Sequence, residues 1–424
     1  MSERQSKRQH EGERSSEKRL NKNQTFAALQ FPNYRLWFQG QIVSLFGTWM
    51  QTTAQGFLIY ELTHSPAYLG YVGFASGVPS WLLTLYGGVV ADRMQRRSLL
   101  VITQSAMMIF AFILAALTFL HLVQPWHVIL LSLALGTANA FDAPARQSFV
   151  GEMVDREYLT NAIALNATMF HTATAIGPAV AGLTYALFGP AWCFTINGIS
   201  FIAVIVALKR MQLGPQPHLA KSDQEARFKD GILYVVRHDL IRVVIAIVAL
   251  NSMFTMSLVT LLPAWSVKVL GGNATTNGVL SSARGMGSLI GALIIASLGR
   301  ISYRGKLITF GSFLAPTLLI VFAAIHWLPA SLLVMAGIGM GTIMVMNLAN
   351  ALVQTSTPEH IRGRVMGAYT WIFFGFMPIG SLWCGELAAR FGLSETITIN
   401  GALALTAAIV IWAFFPRLRE HQAD

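Results

Sequence analysis

YGGVVADRMQRRSLL, Tyr86 to Leu100, sits between two long apolar runs. The first begins near Ala67 and ends in Asp92; Arg93, Arg96 and Arg97 follow before the chain turns apolar again at Leu99. Lipid offers no partner to a charge or to an open backbone amide. A chain that passes from apolar to charged and back within one short turn is therefore one that leaves a membrane and re-enters it.

The rest of the chain repeats that alternation. Of its 424 residues 54% are hydrophobic and 12% charged, more apolar than a soluble domain needs. Runs near the roughly 20 apolar residues that a span requires lie at about 36–60, 67–91, 99–121, 126–145, 160–187, 191–208, 243–264, 276–298, 307–325, 330–351, 365–390 and 396–415. Barrel strands would alternate polarity with period two, and these runs do not. The predicted fold class is an all-α membrane protein with twelve transmembrane helices. The first run is too long for a signal-peptide core and no small-residue cleavage site follows it, so it is expected to remain in the mature protein. Residues 1–30, charged, rich in Ser and Gln and without periodicity, read as a disordered tail.

A net charge of +11 raises the question of nucleic acid, and the placement of the charge answers it. All but three of the 30 Lys and Arg fall in the N-tail, after even-numbered spans or in the C-tail; the exceptions are Lys268, Arg390 and Arg284. This is the positive-inside pattern, which predicts both termini in the cytoplasm and makes the lipid bilayer, not nucleic acid, the basic face's partner. Cys193 and Cys384 both fall within spans and read as small apolar packing residues.

Internal repetition is legible as well. A shift of 203 carries residues 149–201 onto 352–404 without a gap, matching Phe170 to Phe373, Gly182 to Gly385, and Thr195-Ile196-Asn197-Gly198 to Thr398-Ile399-Asn400-Gly401. A shift of 208 matches Gly70 to Gly278, Gly77 to Gly285, Ser80 to Ser288 and Arg96 to Arg304. The chain thus divides into two six-helix bundles of the same orientation, related by an axis along the membrane normal. The predicted division is an N-tail 1–30, a first bundle 31–208, a cytoplasmic linker 209–240, a second bundle 241–416 and a C-tail 417–424. Within the linker, Phe228, Ile232, Leu233 and Val236 form one apolar face of an expected surface helix.

With the topology in place, Gly88-x-x-x-Asp92-Arg93-x-x-Arg96-Arg97 falls at the cytoplasmic turn between spans 2 and 3, where it resembles the major facilitator motif G-x-x-x-D-R-x-G-R-R. Gln95 stands where that motif has its second Gly. The resemblance implies the major facilitator fold and alternating access. It implies that Asp92 faces the N-terminus of span 11, whose free amides favour an anion, and that Gly88 lets the helices approach. Such a contact is worth up to about 2 kcal/mol, enough to shift an inward/outward balance by more than tenfold. The alternative is a loop anchor. The second copy, around Gly299, Arg300, Arg304 and Lys306, keeps the bases and has Arg300 opposite Asp92.

The stretches 26–51, FDAPARQSF (141–149), Asn161 to Gly182 and RFKDGILYVVR (227–237) are similar to the drug- and siderophore-exporting group that includes macrolide and enterobactin efflux proteins. Gly177-Pro178-x-x-x-Gly182 on span 5 resembles the antiporter motif of exporters, with Ala173 in place of its usual leading Gly; helix packing alone is the other reading. Close-packing pairs recur at Gly73/Gly77, Gly287/Gly291 and Gly363/Gly367, on spans that the resembled fold places between the halves.

Span 1 carries Gln41, Ser44, Thr48, Gln51, Thr52 and Gln55, which at about 100° per residue fall within an arc of roughly 100°. That stripe must face water, a substrate or another helix. Span 4 adds Ser132, Asn139, Asp142 and Arg146. Asn251 on span 7 and Met340 and Met344 on span 10 complete the candidate lining; for the methionines core packing is the preferred reading and cavity lining the alternative.

Charges within spans are candidate functional groups. Asp142 and Arg146 read as a second latch or as part of a proton path. Arg284 needs a counter-charge, from Glu386 or from an anionic substrate. His171 is a titratable candidate or a hydrogen-bonded helix residue.

No metal motif, nucleophile elbow or phosphate cradle is present, and Gly299 to Lys306 has one residue too many for a P-loop. No cofactor and no enzymatic activity are expected, and the energy source is expected to be a proton gradient. The expected function is a monomeric secondary active transporter of the plasma (inner) membrane that exports moderately apolar small molecules by proton antiport. The alternatives are a nutrient or metabolite importer on the same fold and a membrane scaffold.

Overall fold

The computed structural model describes residues 25–213, 224–298 and 304–416. Their regular structure is helical throughout. The long rods are α1 (Pro32–Thr63), α2 (Pro66–Arg93), α3 (Arg96–Phe119), α4 (Pro125–Phe149), α5 (Leu159–Phe188) and α6 (Pro190–Arg210), then α7 (Asp239–Lys268), α8 (Ala274–Ser297), α9 (Arg304–Ala323), α10 (Leu328–Ser356), α11 (Glu359–Phe391) and α12 (Leu393–Phe414). A linker helix, Gln224–Arg237, lies between α6 and α7. Among the described residues ten of these rods are long and apolar enough to cross a membrane; α1 and α5 match them in length but carry more polar side chains.

Local chemistry sets the boundaries. Proline opens α1, α2, α4 and α6, where its missing N–H costs nothing. The turns α5–α6 and α11–α12 pass through Gly189 (φ 88°) and Gly392 (φ 100°), which the 203-residue repeat makes equivalent. Both adopt a backbone that a side chain would strain.

Packing reproduces the repeat. In the first half α2 lies on α4 and α3 on α6; in the second α8 lies on α10 and α9 on α12. The halves meet along α2–α11 and α5–α8. Because the two shifts map α2 onto α8 and α5 onto α11, these are one contact made twice.

The linker helix docks on α11. Asp230 pairs with Arg364 at 2.8 Å, and the Phe228 ring meets Trp371 edge-on at 5.7 Å. The buried face differs from the predicted one: Val235 turns inward with Phe228 and Ile232, while Leu233 and Val236 are exposed. The spacing 228, 232, 235 follows one helical face, and the docked helix uses that face, not the one drawn through 233 and 236. Of the predicted N-tail, residues 25–30 are described and are ordered. Ala27–Gln30 forms a single tight turn, with the Ala28 N–H donating to Asn161 Oδ1 at 2.9 Å. Gly299 and Arg300 of the motif's second copy lie outside the described residues.

One irregularity escaped the sequence. Asn251–Met256 form a π turn inside α7, and its extra residue rotates the faces on either side by about 100° relative to each other.

Candidate functional site

A central cavity of about 430 Å³ lies between the halves, within the range of small-molecule sites. α1 contributes Thr48, Gln51, Thr52 and Gln55; α4 contributes Ser132 and Asn139. The polar stripe of α1 serves both of the roles open to it. Thr48 and Thr52 are exposed toward the cavity, each hydroxyl held by a carbonyl one turn back. Gln51 and Gln55 are buried in a polar chain that crosses three helices. Asn197 Nδ2 of α6 donates to Gln51 Oε1 at 2.6 Å, Gln51 Nε2 reaches Gln55 Oε1 at 3.4 Å, and Gln55 Nε2 donates to Ser132 Oγ of α4. A polar group that would be costly in lipid is thereby satisfied and fixed in direction.

Five of the predicted lining residues lie elsewhere. Gln41 and Ser44 are buried further along α1, beyond the cavity wall. Met340 packs over Gly291 and Met344 is buried in the α9–α10 contact, so the methionines of α10 are core. Asn251 falls in the π turn and faces a small cleft between α7, α9 and α12. Methionine does reach the cavity, from Met107 of α3 and Met377 of α11. Sequence reading also missed Asn197, although its Thr-Ile-Asn-Gly context recurs at Asn400, which is buried and accepts from Trp383 Nε1 at 3.0 Å. A polar residue in an apolar helix, repeated at the internal shift, was the available signal.

The cavity is sealed at the end of the bundle that carries Pro66. A Cβ on Gly70 would lie 2.8 Å from the Ser381 carbonyl and 3.0 Å from Gly385 Cα, so α2 and α11 touch there backbone to backbone. Tyr71 of α2 donates across this seam to Glu386 of α11. On the other side Pro178 provides no N–H for the Thr174 carbonyl, and Gly285 of α8 packs against that freed carbonyl, where a Cβ would lie 2.8 Å from Ala175 Cα. The neighbouring Ala179 N–H donates to Ser282 Oγ of α8 at 2.8 Å. Pro178 and Gly182 thus shape the α5–α8 seam, Gly182 lying against Ala274 and Thr275, while Gly177 packs on Trp49 of α1.

The opposite end is splayed. Gly88 lies on the face of α2 that bears Gly70 and Gly77, since spacings of 18 and 11 residues return to nearly the same direction. Gly363 and Gly367 share the α11 face of Ser381, Gly385 and Pro378 by the same arithmetic. A Cβ on any of Gly88, Gly363 or Gly367 would meet nothing within 4 Å. The close approach expected at Gly88 is therefore absent in this conformation: the two helices diverge below the Trp81–Trp371 contact at 5.5 Å.

The arginines of the motif tie helix ends within the first half. Arg96 pairs with Glu152 after α4 and lies 3.8 Å from Asp92; Arg97 Nη2 donates to the Lys209 carbonyl at the end of α6, 2.8 Å away. Arg93 is exposed, and Asp92 is 44% exposed. Asp142, 1% exposed, pairs with Arg146 at 3.5 Å and accepts from Thr103 Oγ1 at 2.9 Å and Gln104 Nε2 at 2.8 Å. These partners belong to α3 and α4, so they join helices within one half and do not latch the two halves together.

Arg284 lines the cavity from α8, and its pairing with Glu386 is not formed. Glu386 is engaged by Tyr71 and lies 3.8 Å from Arg390. Among the described residues no carboxylate comes within 4.0 Å of the Arg284 guanidinium. His171 is half-buried beside Phe170 and does not line the cavity. No group of three or more His, Cys, Asp or Glu that could hold a metal occurs among the described residues.

Two bundles meeting along paired helices around a cavity sealed at one end define a multi-pass membrane transport protein. Comparison with known sequences places it further: residues 23–424 match the model of the transmembrane secretion effector family, and the chain belongs to that family, within the major facilitator superfamily. It is similar to the staphyloferrin A transporter of Staphylococcus aureus, 24% identical over 91% of this chain and 97% of the relative. It is also similar to the multidrug efflux pump Tap of Mycolicibacterium fortuitum, 26% identical over 88% and 93%. Among solved structures the fold resembles a bacterial homologue of the human lysosomal transporter Spinster, with a TM-score of 0.73 at 11% identity over 95% of this chain and 99% of that one. The resemblance to the drug- and siderophore-exporting group is thereby established, and the chain is a transport protein rather than an enzyme.

Proposed function

We propose that the protein exports moderately apolar small molecules, of drug, macrolide or siderophore type, by alternating access with proton antiport. One observation carries this reading: the cavity is closed at the Pro66 end and splayed at the Asp92 end, on faces whose glycines are spaced for contact at both ends. With all twelve rods crossing the plasma membrane and both termini in the cytoplasm, the splayed end faces the cytoplasm, from which a substrate for export enters. The similarity to an efflux pump supports that direction. Closing Gly88 of α2 against Gly363 and Gly367 of α11 seals the cytoplasmic side, and Asp92 then approaches the free amides that begin α11. The unit is a monomer, since one chain contains the whole cavity.

The test is uptake into everted vesicles of a dye, a macrolide and a siderophore, with and without an imposed pH gradient. Accumulation that collapses when the gradient is dissipated is the expected result. Uptake only in right-side-out vesicles would make the protein an importer, and gradient-independent uptake would remove the antiport step.

A further inference from the structure

The cavity contains a charge that nothing in its wall answers. Arg284 lies ten residues into α8, about 15 Å from that end of the helix, too deep to reach bulk water by extending along its own stem. Of the residues lining the cavity it is the one that carries a charge at neutral pH; the rest are hydroxyls, amides, glycines and apolar groups. Its Nε is buried and without a hydrogen-bond partner. Glu386, the acid nearest in the reading of the sequence, is committed to Tyr71 and Arg390 at the sealed seam.

Two further polar residues share this face. Asn277 and Ser281 precede Arg284 by seven and three residues, one helical stripe, and both line the cavity. Asn277 is 2% exposed and its Oδ1 accepts no hydrogen bond; the Nδ2 of the same amide is the group that can donate to an anion. Beyond this stripe the wall mixes the uncharged amides and hydroxyls of α1 and α4 with apolar surface from Leu69, Val72, Phe201, Pro263 and Met377.

Arginine does not shed its proton in a protein, so this positive charge persists through every conformation. While the Asp92 end is splayed, water reaches the cavity and solvates the guanidinium. When that end closes and water leaves, the charge must be met by something else. A bound anion meets it, and a carboxylate does so with two parallel hydrogen bonds that match the guanidinium fork.

We infer that Arg284, with Asn277 and Ser281, forms an anion subsite in the central cavity, which takes the carboxylate of an amphipathic organic substrate whose apolar body rests on Leu69, Val72, Phe201 and Met377. The inference rests on the proposed role of the cavity as the substrate site and narrows it: the preferred cargo is an organic acid. The carboxylate supplies the counter-charge that permits closure, so cargo and gate are coupled through one side chain.

The experiment measures binding of dansylglycine and of its neutral amide, dansylglycinamide, to the purified protein in detergent by dansyl fluorescence. The wild type is expected to bind the carboxylate at least about tenfold more tightly, a difference of about 1.4 kcal/mol. Arg284→Gln should abolish the preference, and Arg284→Lys, which keeps the charge but not the fork, should retain part of it. Equal affinities in the wild type, absence of saturable dansylglycine binding, or an undiminished preference in Arg284→Gln would overturn the subsite. The wild-type comparison alone decides the matter if the variants fail to fold. Displacement of dansylglycine by low millimolar sodium phosphate at constant ionic strength would make this an inorganic-anion site and overturn the organic assignment. No gradient is involved, so the two readings fail separately. A carboxylate preference without vesicle uptake removes the export proposal and leaves the subsite; gradient-driven macrolide uptake without the preference does the reverse.

Discussion

Gln51 and Gln55 sit one turn apart on α1, and their neighbours make them unequal. Asn197 Nδ2 depends on Gln51 for its acceptor, whereas Ser132, which accepts from Gln55, keeps the Val128 carbonyl as its own acceptor at 2.6 Å. Gln51→Ala leaves a buried amide without its partner, at a cost of about 1–3 kcal/mol; Gln55→Ala leaves a smaller deficit. Melting of the purified variants should rank Gln51→Ala below Gln55→Ala, and both should shift the spectrum of exported compounds. Wild-type melting in both variants together with unchanged spectra would show that the chain is neither structural nor substrate-facing. This asymmetry was not legible in the sequence, which placed both residues on one stripe. Only the approach of α6 and α4 assigns each its partner.

At the scale of the helix, α2 carries two kinds of contact along one face. Near Gly70 it meets α11 backbone to backbone, while near Gly88 the same face is empty in this conformation. Substituting the two glycines should therefore have different effects. Gly88→Val adds a side chain where there is room, so melting should stay near that of the wild type. It also obstructs the approach that closes the Asp92 end, so transport should fall at least tenfold. Asp92→Asn should likewise preserve expression and lower transport, because a neutral amide gains less from the start of α11. If both variants transport at wild-type rates, the Asp92 end takes no part in gating. The spacing of these glycines was readable from the sequence; which of them are in contact was not, because one sequence must serve both the closed and the splayed arrangement.

For the whole molecule, the double contact α2–α11 and α5–α8 makes the two ends antagonists, since a rigid half that rocks closed at one end opens at the other. Spin labels at residues 94 and 362, both exposed near the splayed end, and at 62 and 267, both exposed near the sealed end, report this motion. Addition of a transported compound should populate a shorter distance in the first pair and a longer one in the second. Movement of both pairs in the same direction would exclude rocking about the cavity. The sequence by itself determined the helical class, the division into two equivalent halves and the family, because each rests on apolar periodicity, charge placement and repetition, which lie along the chain. The tertiary structure alone decided which polar residues line the cavity, that the α10 methionines are core, that Glu386 serves the sealed seam and that Arg284 stands without an acid. The physical reason is rotation and approach: a helix presents several candidate faces, and only its neighbours determine which one is buried, which is wet and which charge goes unanswered.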